Sequence, residues 1–190
     1  MRKQVHTGII LLGSILLYGF TNFYFREVQE PLDLETKGIV NFKIKLPSFE
    51  LNETDLFLDA IGHYESSNRY HITNRFGYMG KYQFGKATLR GLGYEVSRKE
   101  FLNSPEIQEQ AMLDLLSHNK KILQKYIDYW DGKKINGKVI TESGILAAAH
   151  LAGPGNVKRF LKEGKNFKDG NGTKLTTYLI HFSGYNLNLE

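Results

Sequence analysis

A carboxyl group on the last turn of an amphipathic helix, among apolar neighbours, suits general acid catalysis, and Glu65 in Gly62-His63-Tyr64-Glu65-Ser66-Ser67 has that setting. Partial removal from water makes a carboxyl harder to ionise, because desolvation penalises the charged form. Such a group can hold a proton at neutral pH and deliver it to a leaving-group oxygen. The plainer alternative is an ordinary surface glutamate at a helix end. A second polar group, Gln83, follows eighteen residues later in Gly77-Tyr78-Met79-Gly80-Lys81-Tyr82-Gln83-Phe84. Tyr78 and Tyr82 offer aromatic faces that either stack on a ligand ring or pack in the core. His150, in Ala147-Ala148-Ala149-His150-Leu151-Ala152, is either a site group or a buried histidine bonded to backbone. Asp169-Gly170-Asn171-Gly172-Thr173 reads as a turn before the last helix rather than a calcium loop, which needs more acidic ligands. Asp169 is the reserve candidate for a second carboxylate. The six histidines show no metal-ligand spacing, so neither a metal nor a cofactor is expected.

The elements that must position these groups are mostly helical. Asn52 and Asp55 open a helix in which Phe57, Leu58, Ile61 and Tyr64/Glu65 recur at helical spacing. Residues 68–84 hold two glycines and many aromatics without periodicity, which predicts an irregular, hairpin-like segment. A short helix over 86–92 stops at Gly93, and Ser97 with Glu100 forms a capping box. Ser104-Pro105 opens the longest helix, with Ser104 as cap and Ile107, Ala111, Leu115, Ile122, Tyr126 and Trp130 on one face. Thr141 caps a nearly all-apolar helix that Gly153-Pro154 ends, and helices over 157–163 and 174–182 complete the set. The predicted fold is mainly α, with a small irregular or β segment, over residues 52–190.

Composition narrows the function. The chain is 41% hydrophobic and rich in aromatics, which excludes a disordered chain. The absence of cysteine excludes disulfide frameworks, thiol nucleophiles and Cys-ligated metal. A net charge of +5 favours anionic surfaces but falls short of the dense basic patch of a nucleic-acid binder. Arg2 and Lys3 precede nineteen uncharged residues from Thr7 to Phe25, close to the ~20 that span a bilayer. No clear small-x-small cleavage site follows, so an uncleaved anchor is favoured over a signal peptide for residues 1–25. The positive-inside rule then leaves the N-terminus in the cytoplasm and the rest outside. A cysteine-free exported domain suits a bacterial envelope at least as well as an animal secretion, so the expected place is the periplasmic side of a bacterial inner membrane, or export. Residues 26–51 read as a linker with one strand over 40–46, where apolar and polar residues alternate.

Glu65-Ser66, the Gly77-x-x-Gly80-x-x-Gln83 block and the 147–153 helix terminus together resemble the lysozyme-like lytic transglycosylases, in the superfamily of soluble lytic transglycosylases and goose-type lysozymes. The resemblance covers roughly residues 56–185. It implies a lysozyme-like helical domain with Glu65 as acid/base, Ser66 supporting the sugar site, Gln83 bonding substrate and Tyr178 lining the cleft. His150 and Leu151 stand where the family has Tyr and Asn, so His150 either takes over the tyrosine's polar role or marks a different placement of substrate. The implied partners are peptidoglycan glycan strands and, through the N-terminal helix, the membrane; a monomer is expected.

Reaction type depends on a second carboxylate. Most glycosidases use two, about 5–5.5 Å or 6.5–9.5 Å apart. No Asp or Glu lies between Ser66 and Tyr94, the region from which goose-type hydrolases take their helper aspartate. One carboxyl suffices if the substrate assists through its 2-acetamido group and its own 6-hydroxyl, which closes a 1,6-anhydro ring. The sequence leaves open a hydrolytic muramidase or chitinase on the same fold, and a non-catalytic glycan-binding scaffold of the envelope.

Overall fold

In a computed structural model, which describes residues 52–189, the Asn52 side chain accepts the Thr54 N–H at 3.0 Å and so starts helix α1 (Glu53–Ser66). The expected membrane segment over 1–25, and the linker and strand over 26–51, lie outside the described residues. No helix among the described residues is long and apolar enough to cross a membrane. Phe57, Leu58 and Ile61 bury one face of α1, and Ser67, in the left-handed region at φ 56°, ends it.

An irregular segment over 68–85 follows, held by bridges between Thr73 and Met79 and between Met79 and Phe84. Two short helices come next, α2 (Lys86–Gly91) and α3 (Arg98–Asn103), the second with the expected Ser97–Glu100 capping box. Helix α4 (Pro105–Trp130) starts at the expected proline, but the Ser104 side chain makes no cap bond. Its buried face also differs from the apolar reading. Gln108, Ala111, Met112, Leu115, Leu116, Asn119, Leu123 and Ile127 point inward, whereas Ile122 is exposed. Two polar residues on the inner face shift the stripe, because apolar spacing alone cannot see them.

A small antiparallel hairpin, β1 (Lys134–Ile135) with β2 (Lys138–Val139), was not anticipated. Its Asn136-Gly137 turn has φ of 49° and 76°, the left-handed pair that a tight two-residue hairpin requires. Helix α5 (Glu142–Ala152) is buried continuously from Ser143 to Ala149 and packs against α4 and the two helices that follow, α6 (Pro154–Glu163) and α7 (Leu175–His181). Pro154 is therefore the first residue of α6 as well as the stop of α5. At Gly144 the two helices α5 and α7 are in close contact: a Cβ there would stand 2.2 Å from the Leu179 carbonyl oxygen. The architecture is mainly α, with α5 at its centre.

Candidate active site

Three helices meet at Glu65. It lies in the last turn of α1 with its side chain only 16% exposed, and its Oε1 accepts the Tyr178 hydroxyl at 2.5 Å. Tyr178 reaches it from α7, where the residue is 2% exposed. Burial first, and then the Glu65 charge, push the Tyr178 phenol well above its ordinary pKa, so it stays a proton donor. From the end of α5, His150 brings Nε2 to 3.4 Å from the same Oε1, with its side chain 7% exposed and its ring edge-on to Phe84. With Nε2–H turned to the carboxyl, Nδ1 is an acceptor, and it has no partner. Both contacts fall on Oε1. Oε2 is left as the oxygen that can exchange a proton with a ligand.

The opposite wall is the 68–85 segment. Asn74 Oδ1 accepts the N–H groups of Phe76 at 2.9 Å and Tyr78 at 3.1 Å, folding the chain back on itself. Gly77, Gly80 and Gln83 then take left-handed φ of 89°, 73° and 52°, which gives the three-residue spacing of the Gly-x-x-Gly-x-x-Gln block a backbone cause. Gly80 is doubly constrained, since a Cβ would stand 2.0 Å from Gln108 Oε1. Gln83 Nε2 donates to the Gly80 carbonyl at 2.8 Å, which fixes the amide and leaves its Oε1 for a ligand.

Between these walls run two lobes of about 540 and 570 Å³, sharing Glu65, Asn74, Gln83, Asp169 and Asn171 at their waist. Each is of ligand size. Tyr78, Leu92, Leu115 and Asn119 help line the first; Tyr64, Arg69, Thr73 and Thr173 help line the second. Asp169 arrives on a tight turn in which its Oδ1 accepts the N–H groups of Asn171 at 2.9 Å and Thr173 at 2.6 Å. The turn is tied to the opposite wall by Arg75 Nη2 donating to Asn171 Oδ1 at 3.0 Å.

Of the residues singled out from sequence, Glu65, Gln83, Tyr78, His150 and Tyr178 come together around the cleft. Two do not. Ser66 is 4% exposed on the inner side of α1; its hydroxyl donates to the Lys81 carbonyl at 2.8 Å and accepts the Arg69 N–H at 2.9 Å. It ties α1 to the opposite wall instead of touching sugar. Tyr82 is fully buried, and its hydroxyl donates to Glu109; burial, reinforced by Glu109, pushes its phenol far above the ordinary range. It cannot stack on a pyranose. The chain turns at Gly80 and Gln83, and Tyr82 lies buried between them while Tyr78, before the turn, stays 46% exposed.

Sequence reasoning missed the groups that hold that wall. Glu109 Oε1 accepts from Lys81 Nζ at 2.8 Å and from the Tyr70 hydroxyl at 2.5 Å, and Gln108 Oε1 accepts the Lys81 N–H at 2.8 Å. It also missed Asn119, 1% exposed on the inner face of α4. No family model matches the chain, and comparisons with curated proteins and with solved structures return no match.

Proposed function

We propose that the protein is a lytic transglycosylase of lysozyme-like fold that cleaves the β-1,4 bond between N-acetylmuramic acid and N-acetylglucosamine in peptidoglycan. The observation that carries this reading is a glutamate at the waist of a two-lobed cleft, with Oε1 held by Tyr178 and His150 and Oε2 left over. A glycan lying through both lobes would put its scissile bond at that waist. Glu65 Oε2–H protonates the glycosidic oxygen, and the C1–O bond breaks as the 2-acetamido group steadies the positive charge. The Tyr178 hydroxyl and His150 Nε2–H steady the carboxylate left behind. Glu65 then takes the proton of the same sugar's 6-hydroxyl, whose oxygen bonds to C1, and the enzyme regains its starting state. Gln83 Oε1 is placed to accept a sugar hydroxyl. Arg69, lining the second lobe, and the net charge of +5 suit an anionic strand. The uncharged run from Thr7 to Phe25 would tether the enzyme at the outer face of the inner membrane.

One observation favours a second reading. Asp169 lines the same waist as Glu65, and its Oδ2 is left over after the turn has used Oδ1. As a base for water it would make the enzyme a muramidase. Digestion of purified peptidoglycan with mass analysis separates the two. The transglycosylase gives 1,6-anhydro products lighter by one water, whereas reducing ends would establish hydrolysis and no cleavage would refute both.

A further inference from the structure

Ile122, Tyr126 and Tyr129 recur at helical spacing on one flank of the second half of α4, and none of them belongs to the cleft. Ile122 is 37% and Tyr129 59% exposed, while Tyr126 and the neighbouring Trp130 are half-buried. Val139, on the hairpin that follows, is exposed as well. Lysines rim this stripe. Lys133 Nζ stands 3.3 Å from the centre of the Tyr129 ring, and Lys158 and Lys162 reach from α6 to 5.9 and 5.6 Å from that of Tyr126. Among the described residues these three lysines make no ion pair; Glu142 and Glu163 are taken up by Lys120 and Lys165. Residues 120–138 hold six lysines against two aspartates, and residues 154–162 hold Lys158, Arg159 and Lys162 with no acid. These two stretches, six lysines less two aspartates plus three cations, carry +7, more than the +5 of the whole chain, so the remainder is net negative.

Apolar side chains kept out of the core inside a rim of cations mark a surface made for a partner. Sugar fits it poorly, because stacking needs an open ring face and an ammonium group stands over each of the Tyr126 and Tyr129 rings. Anionic lipid fits it well. Tyr and Trp rings settle at the depth of lipid headgroups, lysine stems cover apolar surface while their charges stay in the headgroup layer, and an anionic leaflet attracts each charge. We propose that this face of α4 and α6 rests on an anionic lipid bilayer, with Ile122, Tyr129 and Trp130 at headgroup depth and Lys133, Lys158 and Lys162 against the lipid phosphates. The expected anchor over residues 1–25 would hold the chain at such a surface, and the contact is a second one made by the folded domain itself. It involves no turnover, so it stands or falls apart from the glycosidase reading.

Trp130 is the only tryptophan in the chain, so its fluorescence reports this face alone. The test reconstitutes the full chain in vesicles of phosphatidylcholine, or of an equal mixture of phosphatidylcholine and phosphatidylglycerol, each with a trace of lipid carrying a nitroxide quencher on its headgroup. An N-terminal anchor inserts into both; only the docked face responds to lipid charge. At ~0.1 M salt Trp130 should be quenched in the mixed vesicles and not in the neutral ones, and the quenching should vanish at ~1 M, where the screening length falls from ~10 to ~3 Å. Lys133→Gln, Lys158→Gln and Lys162→Gln together should cut the ratio of docked to free domain ~100-fold, about 5-fold for each lysine, with the melting temperature kept. Should that variant fail to fold, the salt series on the wild-type chain decides alone. Equal quenching in both kinds of vesicle, quenching in neither, or quenching that survives the triple substitution would overturn the proposal. A response of Trp130 to soluble polyphosphate with none to the mixed vesicles would give the surface to an anionic polymer and overturn it too.

Discussion

Gln108 and Asn119 sit three turns apart on the same inner face of α4, both almost wholly buried, and they are treated in opposite ways. Gln108 accepts the Lys81 N–H and donates to the Tyr70 and Phe101 carbonyls. Beside it Glu109 gathers Lys81, Tyr70 and Tyr82. Asn119 Nδ2 has no partner and borders the cleft. A satisfied polar network under a wall holds that wall in place, and a buried group left unpaired beside a cleft adds nothing to that hold. Substitutions in the first should cost stability, and those of the second should not.

The largest effect is expected where the network meets the backbone. Gly80→Ala forces a non-glycine residue to φ 73° and drives its Cβ into Gln108. It should destabilise the domain by about 3 kcal/mol or more, read by urea denaturation. Glu109→Ala leaves Lys81, whose side chain is 9% exposed, and the Tyr82 hydroxyl without their acceptor. A loss of about 2–4 kcal/mol is expected by the same measurement, with Gln83-dependent activity falling alongside. If either change left stability untouched and altered only ligand binding, the contrast between the two regions would be broken.

Tyr178→Phe tests the cleft side. It removes one donor to Glu65 at little change in volume, so kcat should fall about 10- to 100-fold with KM nearly unchanged and at most about 1 kcal/mol lost from stability. The last effect concerns pH. Tyr82 and Tyr178 have folded pKa values raised above the unfolded value, so below pH ~10 both states hold the proton and the full stability is present. Above it the unfolded chain releases protons that the native state keeps, and stability falls by about 1.4 kcal/mol per pH unit for each tyrosine. Denaturation midpoints followed from pH 9 to 11 should show this fall. Tyr82→Phe should reduce its slope by one proton.

What the sequence made legible was local. Helix α1 with its asparagine cap, the proline start of α4 and the threonine cap of α5 are all encoded within a few residues, and each was read correctly. Glu65 stood out because a helix end and its apolar neighbours are local too. The partners that give the site its shape are remote: the Tyr178 hydroxyl bonds a carboxyl 113 residues away, and Glu109 holds Lys81 across 28. No spacing rule reaches that far. Ser66 and Tyr82 were assigned to sugar because their motif was, and only the fold decides which residues of a motif face inward. The hairpin at Asn136-Gly137 is different, since its dipeptide is a strong local turn signal that was passed over.

The central claim is that one carboxyl, Glu65, both gives and recovers the proton. The most direct measurement compares the full chain with its Glu65→Gln variant on purified peptidoglycan, following released products and strand binding together. The account predicts loss of at least ~1,000-fold in cleavage with binding and melting temperature retained. Cleavage continuing at the wild-type rate in the glutamine variant would contradict it.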